Sequence, residues 1–169
     1  EVCLDIDESV LKGKDEVLLC ACGTSYHAAL SASYLLERLA KIRTKVEIAS
    51  EFRYKSPFLN KNALFIAISQ SGETADTLEA LKIAKNAGLK SLAICNVDNS
   101  SIVRLADAVL LTRAGIEKGV ASTKAFATQV LVLWLLALRL AKMRNTLSAS
   151  EFNRETEALR GIPAVLNFS

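Results

Sequence analysis

The chain has a single histidine, His27, and its four cysteines, Cys3, Cys20, Cys22 and Cys95, include no C-x-x-C pair. Without a Cys/His ligand set there is no zinc site to propose, and one imidazole without partners makes no Ser–His–acid triad. Lys and Arg are interspersed with Asp and Glu, and the net charge is only +3, so nothing suggests a nucleic-acid partner. An N-terminal signal pattern is missing. The longest apolar run, Val130 to Leu138 and on past Arg139 to Ala141, is shorter than the roughly 20 residues of a membrane span. Neither G-x-G-x-x-G nor G-x-x-x-x-G-K-[ST] occurs, which argues against nicotinamide or P-loop nucleotide binding. There is no internal repeat and no low-complexity tract. These absences leave a soluble protein without metal or cofactor, with reduced, buried thiols suited to the cytoplasm.

What is present is a core. Apolar residues make up 51% of the 169 residues and charged residues 23%, which excludes disorder. A domain of this size can bury about 70% of its unfolded surface. Five β-rich runs, Glu16–Cys22, Lys45–Ala49, Asn62–Ile68, Ser91–Cys95 and Ala108–Leu111, alternate with helical patterns. Several are almost continuously apolar, as strands covered on both faces are. A first helix is expected from near Thr24, with Ala28, Ala32, Leu35, Leu39 and Ile42 on one stripe. A second is expected from near Thr74, with Leu78, Leu81 and Ala84 inward and Gly88 as its stop. Ser101–Ala106 reads as a short helix and Ser122 to about Arg144 as a long, buried one. Glu151–Leu159 reads as a terminal helix leading to Gly161 and Pro163. The alternation predicts an α/β fold, a three-layer α/β/α sandwich on a five-stranded parallel sheet with right-handed crossovers. The chain reads as one domain over 1–169, its core about 15–144. The 145–169 segment would be a terminal helix and a connector to something absent, and both ends look like cuts from a longer protein.

In such sheets ligands bind beyond the carboxyl ends of the strands, where three small, polar junctions fall. The strongest is Ser69-Gln70-Ser71-Gly72-Glu73-Thr74, which follows an apolar strand and opens a helix. Unpaired N–H groups and partial positive charge at a helix start suit an anion. Three hydroxyl residues around Gly72 exceed what a single N-cap needs, and Gly72 lets the backbone approach a phosphate. The second junction is Cys22-Gly23-Thr24-Ser25, where Gly23 turns the chain and Thr24 or Ser25 caps the helix. The third is Gly119-Val120-Ala121-Ser122-Thr123-Lys124, whose small residues permit main-chain contact and whose Lys124 reads as solvated or ion-paired. Glu73 is favoured electrostatically in a first turn whatever its role. Glu47, Glu51, Arg53 and Tyr54 are either subunit contacts or simply exposed. No acid–base pair is evident.

Taken in order, Ala21-Cys22-Gly23-Thr24-Ser25-Tyr26, Val46-Glu47-Ile48-Ala49-Ser50-Glu51-Phe52-Arg53-Tyr54, Ser69-Gln70-Ser71-Gly72-Glu73-Thr74-Ala75-Asp76-Thr77 and Gly119-Val120-Ala121-Ser122-Thr123-Lys124-Ala125-Phe126 resemble the first isomerase (SIS) domain of the glutamine–fructose-6-phosphate aminotransferase family. The resemblance spans roughly Val17 to Leu140. It implies a flavodoxin-like SIS domain that binds fructose 6-phosphate or glucosamine 6-phosphate for amino-sugar and cell-wall biosynthesis. The implied sugar-phosphate ligands are Thr24, Ser25, Ser69, Gln70, Ser71 and Thr74, with Val120, Ala121 and Ser122 touching the sugar. The implied partners are a second SIS domain and a glutaminase domain of the parent chain, in a homodimer. The family's isomerisation Glu, ring-opening His and Schiff-base Lys lie in segments this chain lacks, so no catalytic residue is assigned and the fragment alone is expected to be inactive. Two other readings remain: a stand-alone SIS isomerase, which would have to use His27 or Glu73, and a non-catalytic sugar-phosphate-sensing regulator domain.

Overall fold

The structure, a computed structural model, describes residues 4, 6–117, 119 and 122–166. After a 3-10 turn at Glu8–Val10 the chain runs β1 (Glu16–Ala21), α1 (Gly23–Ala40), β2 (Arg43–Ile48), α2 (Ala49–Phe52), β3 (Ala63–Ser69), α3 (Ala75–Asn86), β4 (Lys90–Cys95), α4 (Ser101–Leu105), β5 (Ala108–Leu111), α5 (Lys124–Arg144) and α6 (Ala149–Leu166). The five strands form one parallel sheet in the order β2-β1-β3-β4-β5. This is the flavodoxin-like order. All five expected strands are present, with ends shifted by up to two residues.

Side chains alternate across the sheet and sort into two cores. One face carries Val17, Leu19, Leu64, Ile66, Ile68, Leu92 and Ile94 against α1 and α5. The other carries Leu18, Cys20, Phe65, Ala67, Ala93 and Cys95 against α2, α3 and α4. Burying a Leu or Ile of this kind contributes about 1.5–3 kcal/mol. On α1 the inward stripe is Ala28, Ala29, Ala32, Leu36 and Leu39. Leu35 is only half-buried, and Ile42 is buried beyond the helix end. The small alanines of α1 and of α5, Ala137 and Ala141 among them, let the two helices make the most extensive helix–helix contact of the fold. Cys20 and Cys95 are buried in the second core, and burial pushes both thiols up to about 12. That removes them as nucleophiles at neutral pH.

Two elements differ from the sequence reading. The terminal helix begins two residues earlier and continues through Gly161 and Pro163 to Leu166. Its start is a capping box: Ser148 N–H donates to Glu151 Oε2 at 2.9 Å, and Glu151 N–H to Ser148 Oγ at 3.3 Å. Pro163 lies in the last turn, where the missing N–H removes a single helical bond. The second is α5. Over its 21 residues it is long and apolar enough to cross a membrane by length and composition. In the fold it is a core helix: Leu133, Leu136, Ala137, Leu138 and Leu140 are buried beneath α1 and the sheet. The rest of its apolar surface is met in part by α6. Trp134 Nε1 donates to Glu155 at 3.2 Å, Arg38 grips the same carboxylate at 3.1 and 3.4 Å, and Phe152 and Leu159 pack on this core.

The turn between α4 and β5 is tied to the start of β4 by Asp107. Its carboxylate accepts from Ser91 N–H (2.8 Å), Ser91 Oγ (2.7 Å) and Lys85 Nζ (2.8 Å). Burial pushes the Asp107 carboxyl up, but the Lys85 and Ser91 bonds outweigh it and hold the group below the ordinary aspartate value. A depressed carboxylate stabilises the fold at neutral pH, and that contribution is lost as pH falls below about 4. Asp107→Asn is therefore expected to cost about 1–2 kcal/mol at pH 7, with its melting-temperature deficit against wild type narrowing at pH 3. An equal deficit at both pH values in thermal denaturation contradicts this account.

Candidate functional site

The strand order makes the crevice. From β1 the chain crosses to β2 on one side, and from β2 it returns to β3 on the other side of β1. The loops leaving the carboxyl ends of β1 and β3 thus diverge and leave an opening between them. Ala21 pairs with Ile68 in the last register position of β1, so Cys22-Gly23-Thr24-Ser25 and Ser69–Thr74 emerge side by side. The structure thereby brings together the first two junctions singled out in the sequence.

The β3–α3 loop is braced by its own hydroxyls. Ser69, buried at the end of β3, accepts the Gly72 N–H at 3.0 Å, and its Oγ lies 2.9 Å from Thr74 Oγ1. Ser71 Oγ accepts the Glu73 N–H at 3.2 Å. The Gln70 carbonyl accepts the Asn96 N–H at 3.1 Å. Thr74 occupies the N-cap of α3, yet its side chain makes no cap bond because it is turned to Ser69. The first-turn N–H groups of α3 are therefore not used by the N-cap side chain. Asp76 lies in that turn, where its negative charge would oppose an anion. Arg53 pairs with it at 2.6 Å and offsets that charge, which gives one member of the polar stretch after β2 a definite partner. Of the others, Glu47 pairs with Lys55 at 2.5 Å, and the Arg53 guanidinium lies 5.1 Å from the Tyr54 ring centroid.

Glu73 points away from the crevice. Its Oε1 accepts the Ser101 N–H at 2.7 Å and caps α4; this bond, with Arg104 nearby, holds the carboxyl below the ordinary glutamate range. It is a cap, and a poor general base. His27 is exposed, its ring 5.6 Å from that of Tyr26 in an edge contact. Among the described residues no group of His, Cys, Asp and Glu is placed to hold a metal.

On α1 the N-cap is Cys22, so Thr24 and Ser25 lie inside the first turn and neither caps the helix, contrary to the sequence reading. Gly23, at φ +58°, makes the turn that starts the helix a residue early. Thr24 is exposed. Ser25 is buried, and its Oγ accepts from Gln129 Nε2 of α5 at 3.0 Å. The sequence reading passed over Gln129, though a lone amide on an apolar stripe was the available signal. Val120 and Ala121 lie outside the described residues. Ser122 is buried, and its hydroxyl donates to Glu117 Oε2 at 2.9 Å, so its proton is already used. Lys124, expected to be solvated or ion-paired, donates to the Ile116 carbonyl at 2.5 Å, and α5 opens at this residue and not at Ser122. Next to Gln70 lies a cleft of about 550 Å³, lined by Asn96, Asp98, Arg113, Ile116 and Glu117 among others. Asn96 shapes it by accepting from Ala114 N–H (2.7 Å) and Thr112 Oγ1 (3.1 Å) and donating to the Gly115 carbonyl (2.7 Å). Its position directly after β4, at a carboxyl end, was the signal the sequence reading did not use.

These bonds decide the chemistry. Ser71 and Ser25 use their oxygens as acceptors, so each hydroxyl proton remains to be donated. Ser69 and Thr74 share one proton between them and keep the other. The loops thus offer hydroxyl protons and helix-start N–H groups, which are donors without a proton-exchanging side chain among them. That arrangement suits an anion and offers no side chain placed for acid–base chemistry.

Gly72 is required by the loop's own packing. It sits at φ +69°, and a Cβ there would lie 1.9 Å from Ser100 Oγ and 2.5 Å from Ser100 Cβ. Its carbonyl also accepts the Ile102 N–H at 3.0 Å. Gly72→Ala is expected to destabilise by about 2–4 kcal/mol, combining backbone strain with overpacking. Adding Ser100→Gly should recover only the packing part. Urea denaturation of both variants measures the two contributions, and a single variant as stable as wild type refutes them.

Comparison with known proteins follows the same lines. The family model described as the SIS domain matches residues 10–139. The chain is 68% identical over 141 residues to glutamine–fructose-6-phosphate aminotransferase (isomerizing) of Campylobacter jejuni, covering 83% of this chain and 24% of the relative. It is 56% identical over 147 residues to the enzyme of the same name from Helicobacter pylori, covering 87% and 25%. It therefore spans about a quarter of the length of these curated relatives. Among solved structures, the C-terminal domain of glucosamine-fructose-6-phosphate aminotransferase from Francisella tularensis superposes with a TM-score of 0.90 at 46% identity, over 93% of this chain and 45% of that one. Glucosamine-6-phosphate deaminase of Thermotoga maritima matches with a TM-score of 0.76 at 31% identity, over 92% and 47%. By sheet order, switch-point loops and family match together, the chain belongs to the SIS domain family.

Proposed function

We propose that this chain is the sugar-phosphate-binding half of the isomerase module of a cytoplasmic glutamine–fructose-6-phosphate aminotransferase, and that the module makes glucosamine 6-phosphate. The observation that carries the reading is the pair of hydroxyl-rich loops at the ends of β1 and β3, where Ser71, Ser25 and the Ser69–Thr74 pair have protons to give. The high identity to aminotransferases so named supports the assignment of substrate. In this reading the phosphate sits on the first-turn N–H groups of α3, with Gln70, Ser71 and Thr74 around it. Ser25 donates to the phosphate from α1, and the sugar extends toward Thr24, with Val120, Ala121 and Ser122 touching it as the family resemblance implies. The proton transfers that open the ring and move hydrogen between C1 and C2 need titratable groups within hydrogen-bond reach. A second SIS domain supplies them, and a glutaminase domain supplies ammonia. Positioning accelerates a reaction only when the reacting groups are also present.

Calorimetry tests the binding. Fructose 6-phosphate is expected to bind and unphosphorylated fructose to bind far more weakly. Ser71→Ala and Thr74→Val should each weaken binding by about 1–3 kcal/mol, the cost of a lost hydrogen bond to a charged group; equal affinity for the two sugars overturns the reading. A coupled assay with saturating fructose 6-phosphate should show no isomerisation by this chain. Turnover abolished by changing His27 or Glu73 would favour a stand-alone isomerase instead. We also propose a homodimer, supported by the half-buried apolar residues Leu131, Val132 and Leu135 that α5 retains beside α6. Light scattering of a clean monomer at high concentration contradicts it.

A further inference from the structure

We propose that Gln129 is a positioning residue for sugar-phosphate binding: its amide fixes the direction of the Ser25 hydroxyl, so that the serine meets the ligand as a donor. The inference rests on the anion-site reading above and concerns a residue on a different element from every ligand assigned there. Gln129 is the only polar member of the set that α5 buries, between Ala125 and Leu133. It is 1% exposed, and its Oε1 has no hydrogen-bond partner among the described residues. Burying an amide with its carbonyl unpaired costs about 1–3 kcal/mol. A leucine or methionine would fill the same space without that cost, so packing does not explain the residue. What an amide does here and an alkyl chain cannot is donate: Nε2 lies 3.0 Å from Ser25 Oγ, across 104 residues of sequence.

The consequence follows from the valence of a hydroxyl. A serine in a helix can turn its proton to a nearby backbone carbonyl, leaving lone pairs outward. Lone pairs facing the crevice would repel a phosphate dianion. When Nε2 donates to the oxygen, a lone pair is engaged on the protein side and the proton is left for the ligand. With the Gln129 bond in place, Ser25 makes no hydrogen bond that uses this proton among the described residues. The polarity of a ligand group on α1 is thus set by α5 through the contact between the two helices, the most extensive helix–helix contact of the fold.

The test compares fructose 6-phosphate binding by calorimetry for the wild-type chain, Gln129→Leu and Gln129→Glu, at pH 8 and at pH 5.5, each variant expressed relative to wild type at the same pH. Gln129→Leu is expected to bind about tenfold more weakly at both pH values, with a melting temperature equal to or above wild type. Gln129→Glu is expected to bind at least as weakly as Gln129→Leu at pH 8, because an ionised carboxylate accepts the Ser25 proton and adds like charge. At pH 5.5 the introduced carboxyl, its pKa raised by burial, is largely neutral. It can then donate as the amide does, and the deficit is expected to shrink several-fold. A role in packing alone predicts no such pH-dependent recovery. If Gln129→Leu fails to fold, the pH dependence of Gln129→Glu still decides. Binding within twofold of wild type by the folded variants, or a Gln129→Glu deficit that does not change with pH, overturns the proposal while leaving the anion site intact. Failure of the wild-type chain to bind overturns the anion-site reading, and this inference with it.

Discussion

The parallel pairing of β1 with β3 is the contact on which the rest depends. Both strands are buried along their whole length, and each is paired on both sides. Because they are parallel, the chain must return over a face of the sheet between them, which places α1 and α2 on opposite sides. Because β2 lies beyond β1, the same pairing is also the point where the winding reverses. One set of hydrogen bonds therefore specifies the layers, the two cores and the opening at which polar loops meet.

That opening is built from groups spent on one another. Ser69 holds Gly72 and Thr74, Ser71 holds Glu73, and Glu73 reaches across to cap α4. An anion held here would need no lysine, because helix-start N–H groups and hydroxyl protons supply the positive ends of fixed dipoles. The bonds among the loop residues fix these donors in advance, so little rotamer entropy would be lost on binding. Hydroxyl and amide protons do not titrate near neutral pH, so this set of groups is suited to holding a ligand and not to moving protons.

Charge and capping also hold the outer elements. Buried Glu16 faces Lys45 at 3.4 Å and Arg43 at 3.9 Å on the edge strand β2, whose charged side chains also discourage edge pairing with another chain. Arg144 closes the carboxyl end of α1 by donating to the carbonyls of Ala40 and Lys41 at 2.8 and 3.2 Å. Arg139 pairs with Glu8 and secures the segment before β1. These contacts are far apart in sequence and unite the first turn, α1 and α5 around the first core.

The sequence by itself determined the alternation of strands and helices, because a strand buried on both faces must be apolar throughout and a helix must be apolar on a stripe. It also marked the two strand ends where Ser, Thr and Gly concentrate, because helix starts favour such residues. Tertiary structure alone decided what each polar side chain does. Whether Ser122 is a free ligand or a donor to Glu117, whether Glu73 is a base or a cap, and which way Ser25 points all depend on partners up to 104 residues away. Gly72 was legible as a turn residue, but its contact with Ser100 was not. The continuation of α6 past Pro163 was likewise hidden, because a proline's effect depends on how many helical bonds remain beyond it. Local rules act through neighbours in the chain; direction and partnership of hydrogen bonds are set by which elements the sheet order brings together.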